Sequence, residues 1–267
     1  MLANSIEARV LDKTQQKVNI QSAHIWLFPK PHLLLKSVGI ADSSTTNAQS
    51  IRIYPDFKRL KNKLMALLTI PDTTPYIMRT IKIDGLSMLQ SDLFHVANWQ
   101  KAIANSPDYV IERLIIEDFN LSVPGLSLPS LQADIHLNNT NTMGLAKLYT
   151  TEQDIKLIIT AVNTHYMVKI DAINWRAPLA PFPTFKKLQG SGTINNSMLT
   201  FPNLVGQLYN GRISADLQTN LVSPDLVTKG NFAIDKMVID KMDKDLRFNS
   251  IINGFLSGKG TFSFAIN

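Results

Sequence analysis

A chain of 267 residues, 45% hydrophobic and 18% charged, can bury a sizeable core, which excludes a disordered polymer. With no cysteine, disulfide scaffolds, thiolate metal sites and thiol nucleophiles are all removed. The formal charge of +6 comes from scattered basic residues with no run of five, which suits an anionic surface or plain solubility better than a nucleic-acid groove.

Residues 6–11 read as the end of a helix. Weak two-residue alternation follows at Leu33/Leu35 and Ile51/Ile53. Asp56 is placed to cap a helix with Phe57, Leu60, Leu64, Leu67 and Leu68 on its packing face, closed by Pro71. Ile81/Ile83 marks another strand, and a second helix is expected from Asp92 through Ala104. Beyond it the alternation becomes strict, at Leu131, Ala133, Ile135 and Leu137, then Ile155, Leu157, Ile159 and Ala161, then Tyr166, Val168 and Ile170. It continues through Ile213, Ala215, Leu217, Thr219 and Leu221, and ends at Phe262, Phe264 and Ile266. Period two marks half-buried strands with one apolar and one wet face, the habit of antiparallel sheets. The expected fold is mainly β: an elongated, strongly twisted antiparallel sheet forming an apolar groove, with two or three flanking helices. Proline clusters suggest three segments, 1–94, 95–187 and 188–267, along one continuous sheet, with Pro178/Pro181/Pro183 the best internal boundary.

Two internal similarities suggest a repetitive architecture. Residues 76–88 (YIMRTIKIDGLSM) align without a gap on residues 109–121 (YVIERLIIEDFNL), apolar on apolar. Residues 188–194 (LQGSGTI) match residues 256–262 (LSGKGTF) through Leu-x-Gly-x-Gly-Thr.

Catalytic and metal motifs are missing. His24, His32, His95, His136 and His165 show no metal-ligand spacing, and no nucleophile elbow or phosphate-binding loop occurs. Asp240, Asp243 and Asp245 alternate with lysines and read as an exposed mixed-charge turn rather than a calcium loop. No cofactor or metal is expected, and no enzymatic activity. No apolar run approaches the roughly 18 residues of a membrane span, and both ends read as boundaries within a longer protein.

Several segments resemble the AsmA-like family of bacterial envelope proteins. They are, in order, Lys17-Val-Asn-Ile20, Ile25-Trp-Leu-Phe-Pro29, the apolar strand at 33–40, the strand at 48–53 and the leucine-rich stretch 60–68. Residues 81–86, Asn98-Trp99 and Gly206-Gln-Leu-Tyr-Asn-Gly211 continue the likeness; Asn210 stands where the family has glycine, which asparagine tolerates at positive φ. The resemblance implies periplasmic placement, an inner-membrane anchor of about 20 apolar residues upstream of this chain, and a role in phospholipid transport or outer-membrane homeostasis. About a dozen strands at roughly 4.8 Å would give a sheet near 55 Å wide, of which two or three helices cover only around half. The apolar remainder must close on itself, meet a protein or hold lipid. By parity its candidates are Ile81, Ile83, Leu114, Leu131, Ile135, Leu157, Ile159, Leu217, Phe262 and Phe264. Phospholipid or another lipid is the expected partner, and nucleic acid is not. The alternative is a non-catalytic scaffold that binds other envelope proteins through open strand edges.

Overall fold

A computed structural model describes residues 2–40, 46–56, 76–89, 92, 109–123, 126–177, 183–221, 227–246 and 254–264. The expected helix face Phe57, Leu60, Leu64, Leu67 and Leu68 lies outside the described residues, as do Trp99 and nearly all of the second expected helix. The fold is mainly β, as the alternation required. Among the described residues, fourteen strands follow one another in hydrogen-bonded order in a mostly antiparallel sheet. They are β1 (Val18–Trp26), β2 (His32–Ile40), β3 (Asn47–Pro55), β4 (Tyr76–Leu89), β5 (Tyr109–Ser122), β6 (Leu131–Leu137) and β7 (Met143–Thr150). Then come β8 (Ile155–Val162), β9 (His165–Arg176), β10 (Thr184–Asn195), β11 (Met198–Leu208), β12 (Gly211–Asn220), β13 (Thr228–Val238) and β14 (Phe255–Phe264). Two helices occur among the described residues, α1 (Leu2–Thr14) and α2 (Ile239–Leu246).

The chain forms two compact units, Met1–Ser122 with Ser130–Ala146, and Val123–Pro129 with Lys147–Asn267. The division falls inside β7.

In the first unit the alternating side chains are aligned strand to strand. Ile25, Leu33, Ile53, Ile81, Leu114 and Ile135 pair successively in one row. Ala23, Leu35, Ile51, Ile83, Ile116 and Ala133 make the next. Paired residues share a face, so each row is a continuous apolar line. One expectation fails: β4 and β5 are parallel, not antiparallel. Their register runs Tyr76↔Tyr109 to Met88↔Leu121, the same alignment that the internal similarity gives. Equivalent residues of the two copies therefore sit side by side.

A third apolar row pairs Ile20, Val38 and Ala48 with Leu86, and Phe119 with Leu131. It is reached by a three-residue step in β1 to β5 (Leu35 to Val38, Ile83 to Leu86, Ile116 to Phe119) but by two residues in β6. Inside that step Ser37, Gly85 and Asp118 have φ of 48°, 61° and 53°. A left-handed residue adds one position to a strand, as in a β-bulge, and resets its alternation. At β5 the register shift between Ile116 and Phe119 marks the extra residue, and pairing with Leu131 keeps Phe119 on the face of Ala133 and Ile135. Phe119 is buried there, as are Ile20 and Ala48 in the same row.

The opposite face of this unit is ionic. Arg52 pairs with Asp84 at 2.9 Å, Lys82 with Glu117 at 2.7 Å, and Arg113 forks onto Asp134 at 2.7 and 2.9 Å. Each bridge ties neighbouring strands diagonally. Helix α1 lies against β1, where the Glu7 carboxylate accepts a 2.6 Å hydrogen bond from the Ile20 amide and so covers part of an edge strand.

The stretch around Asp240, Asp243 and Asp245, expected as a turn, is helix α2. Asp240 sits in its first turn, where the helix dipole favours a carboxylate, and Ile239, Met242 and Leu246 recur at helical spacing.

Asp118 holds a conformation that costs an L-residue about 1–2 kcal/mol and a β-branched one more. Asp118→Gly should therefore hold or raise the urea midpoint, while Asp118→Val lowers stability by about 1–2 kcal/mol. Equal midpoints for the two variants would show that the row is not conformationally demanding.

Candidate functional site

In the second unit the apolar candidates fall into rows across seven strands. Ile155, Ala172, Leu188, Gly206, Ile213, Ile234 and Gly258 pair in one row. Leu157, Ile170, Gly190, Leu204, Ala215, Phe232 and Gly260 pair in the next. In a third, Ile159 and Val168 meet Gly192, and Phe201, Leu217, Gly230 and Phe262 pair in turn. The face is about 29 Å across the strands, at roughly 4.8 Å for each of six spacings.

Glycine on this face makes room for aromatic rings. A Cβ on Gly260 would meet the Phe232 ring at 2.8 Å, one on Gly230 would meet Phe262 at 2.8 Å, and one on Gly192 would meet Phe201 at 2.9 Å. Each ring lies over the glycine of a neighbouring strand, a pairing that fills the gap left by the missing side chain. All four glycines of the repeated Leu-x-Gly-x-Gly-Thr occupy apolar-face positions, and the second of each copy, Gly192 and Gly260, lies against a ring; a Cβ on Gly190 would meet the Leu204 side chain and one on Gly258 nothing within 4 Å. Pro202 lies within the bulge of β11 between Phe201 and Leu204, where a missing amide costs the ladder least. Two tight hairpins set the register. Asn196 and Ser197, then Tyr209 and Asn210, have φ between 45° and 65°, the left-handed pair required of a two-residue turn. Asn210 thus takes the positive φ expected of it.

The candidates are brought together within each unit. Ile81, Leu114 and Ile135 share one row of the first unit, with Ile83 in the row beside it and Leu131 in the row beyond that. Leu157, Ile159, Leu217 and Phe262 share the face of the second. All nine are half-buried. Phe264 pairs with Thr228 at the end of β14, and its side chain lies outside the described residues. Met237 and Thr150 are the largest side chains sealed completely among the described residues. The rows therefore make a surface more than a closed core. The sequence reading missed the aromatic members Phe201 and Phe232 and the glycines opposite them.

No constellation for chemistry accompanies these rows. No group of three or more His, Asp or Glu side chains converges on a metal position among the described residues. His136 is exposed beside Asp134. No described helix is long and apolar enough to cross a membrane. No family model, curated protein or solved structure matches this chain.

A methyl group on Gly230 would stand 2.0 Å from the Asp216 carbonyl oxygen, whereas one on Gly258 meets nothing within 4 Å. Gly230→Ala should cost about 1–3 kcal/mol by overpacking, and Gly258→Ala should lie within about 0.5 kcal/mol of the parent. Chemical denaturation of the two variants measures the difference, and equal stabilities would refute the close approach of neighbouring strands at Gly230.

Proposed function

We propose that this chain is a lipid-handling module that binds or conducts phospholipid along its apolar sheet face. The supporting observation is the set of in-register apolar rows, half-buried, on a sheet whose other face carries the ion pairs and lysines. A half-exposed apolar strip this wide leaves a favourable transfer free energy unused, at about 0.8 kcal/mol for each methylene that could settle on it. An acyl chain supplies such methylenes without asking for hydrogen bonds, and the rows offer none. On the AsmA-like resemblance, the proposal takes the module as a periplasmic, non-catalytic part of a protein anchored in the inner membrane and serving outer-membrane homeostasis.

A scaffold for other envelope proteins is the second reading. One observation favours it: Phe255 and Leu256, at the start of edge strand β14, are 73% and 39% exposed. An open apolar edge is a template for a partner's strand.

Substitutions on the two faces separate these readings. Leu157→Asp and Leu217→Asp should lower co-purifying or crosslinked phospholipid several-fold with little change in melting temperature, because water enters beside a displaced lipid. Lys156→Asp and Gln218→Asp, exposed on the other face, should change neither. Unfolding of the first pair would point to a sealed core and favour the scaffold. Folded variants with undiminished lipid would refute the lipid face.

A further inference from the structure

The polar face of the second unit holds a concavity of about 1230 Å³ between the ends of β10 to β13 and α2. Five cations line it, Lys186, Lys187, Arg212, Lys236 and Lys241, against a single carboxylate, Asp235. Register brings them together from distant sequence. Lys187 pairs with Gln207, Gln207 with Arg212, and Arg212 with Asp235, so the three charged positions lie in one line across four strands. Lys187 and Arg212 are two strand spacings apart, roughly 10 Å. Their neighbours Leu188 and Ile213 belong to the apolar face, so alternation turns both cations to the opposite side.

The balance of charge here differs from that of the first unit. There Arg52, Lys82 and Arg113 each hold a carboxylate within 2.9 Å. Around this concavity none of the five cations makes an ion pair with a described residue, Asp235 included. Unneutralised cations grouped in one concavity raise the local concentration of anions.

We propose that this concavity is a binding site for the phosphate-bearing headgroups of an anionic phospholipid surface. Cations spread over roughly 10 Å suit several separate phosphates of a headgroup layer, whereas one small phosphate is held by a tight cradle of backbone amides. Single-stranded nucleic acid would call for stacking platforms, and Tyr209 is the one aromatic residue in the lining. The site faces away from the apolar rows, so it does not rest on their holding lipid.

Flotation of the full chain with phosphatidylcholine vesicles, with and without phosphatidylglycerol, tests the site. Binding is expected only when phosphatidylglycerol is present. Lys187→Gln with Arg212→Gln, both exposed positions, should weaken it roughly twenty-five-fold, at about five-fold for each charge removed near the surface. Lys169→Gln with Lys229→Gln removes equal charge elsewhere on the unit and should keep most of the binding. Leu217→Asp should leave vesicle binding unchanged even where it abolishes co-purified lipid, so the two lipid assignments fail separately. Equal losses in both double variants would reduce the effect to net charge and overturn the site. Calorimetric binding of inorganic tripolyphosphate without recruitment to vesicles would overturn the membrane source. Tighter binding of a single-stranded oligonucleotide, lost in the Lys187/Arg212 variant, would overturn the lipid assignment itself.

Discussion

In a sheet with one apolar and one charged face, slipping a strand by a single residue would carry its leucines into water and its lysines out of it. Pairing register is therefore the constraint from which the other features follow. It lines Ile25, Leu33, Ile53, Ile81, Leu114 and Ile135 into one row, and it sets Arg52, Lys82 and Arg113 diagonally against carboxylates on the reverse. Where the pattern must shift, neighbouring strands shift together. Ser37, Gly85 and Asp118 take left-handed backbone angles at the same level of β2, β4 and β5. The shift ends at β6, where three residues of β5 span two of β6 and Phe119 and Leu131 still pair on one face.

The second unit meets the same constraint with a different material. Its rows alternate bulky and absent side chains, Phe232 beside Gly260 and Gly230 beside Phe262, so rings interlock across strands in a single layer. Such packing stabilises the strands within one layer, and it leaves Phe232 and Phe262 half-exposed. The charges of this unit are arranged differently too. Lys187 and Arg212 gather with three lysines around one concavity, while paired charges bind the strands of the first unit together.

Much of this was legible in the sequence. Strict alternation at 131–137, 155–161 and 213–219 located β6, β8 and β12, and a row of half-buried aliphatic residues follows once those strands pair. The similarity between residues 76–88 and 109–121 was visible, but not its meaning, because alternation carries no strand direction; only pairing reveals that the two copies lie parallel. The bends at Ser37 and Asp118 were hidden because neither residue announces a left-handed angle as glycine does. Helix α2 was read as a turn because eight residues give too short a period to outweigh a cluster of charges. The basic concavity was invisible for a different reason. Its cations come from residues 186 to 241 and meet only through the register of β10 to β13.

The apolar rows, the ring-over-glycine packing and the polar reverse face are all compatible with a surface that carries lipid, and that claim is open to one direct measurement. Native mass spectrometry of the chain, expressed in bacteria and purified without detergent, reads bound lipid as mass. The account predicts adducts with phospholipid masses that are released by organic solvent, with the protein still folded after their loss. A lipid-free spectrum, from protein that also takes up no added phospholipid, would contradict it.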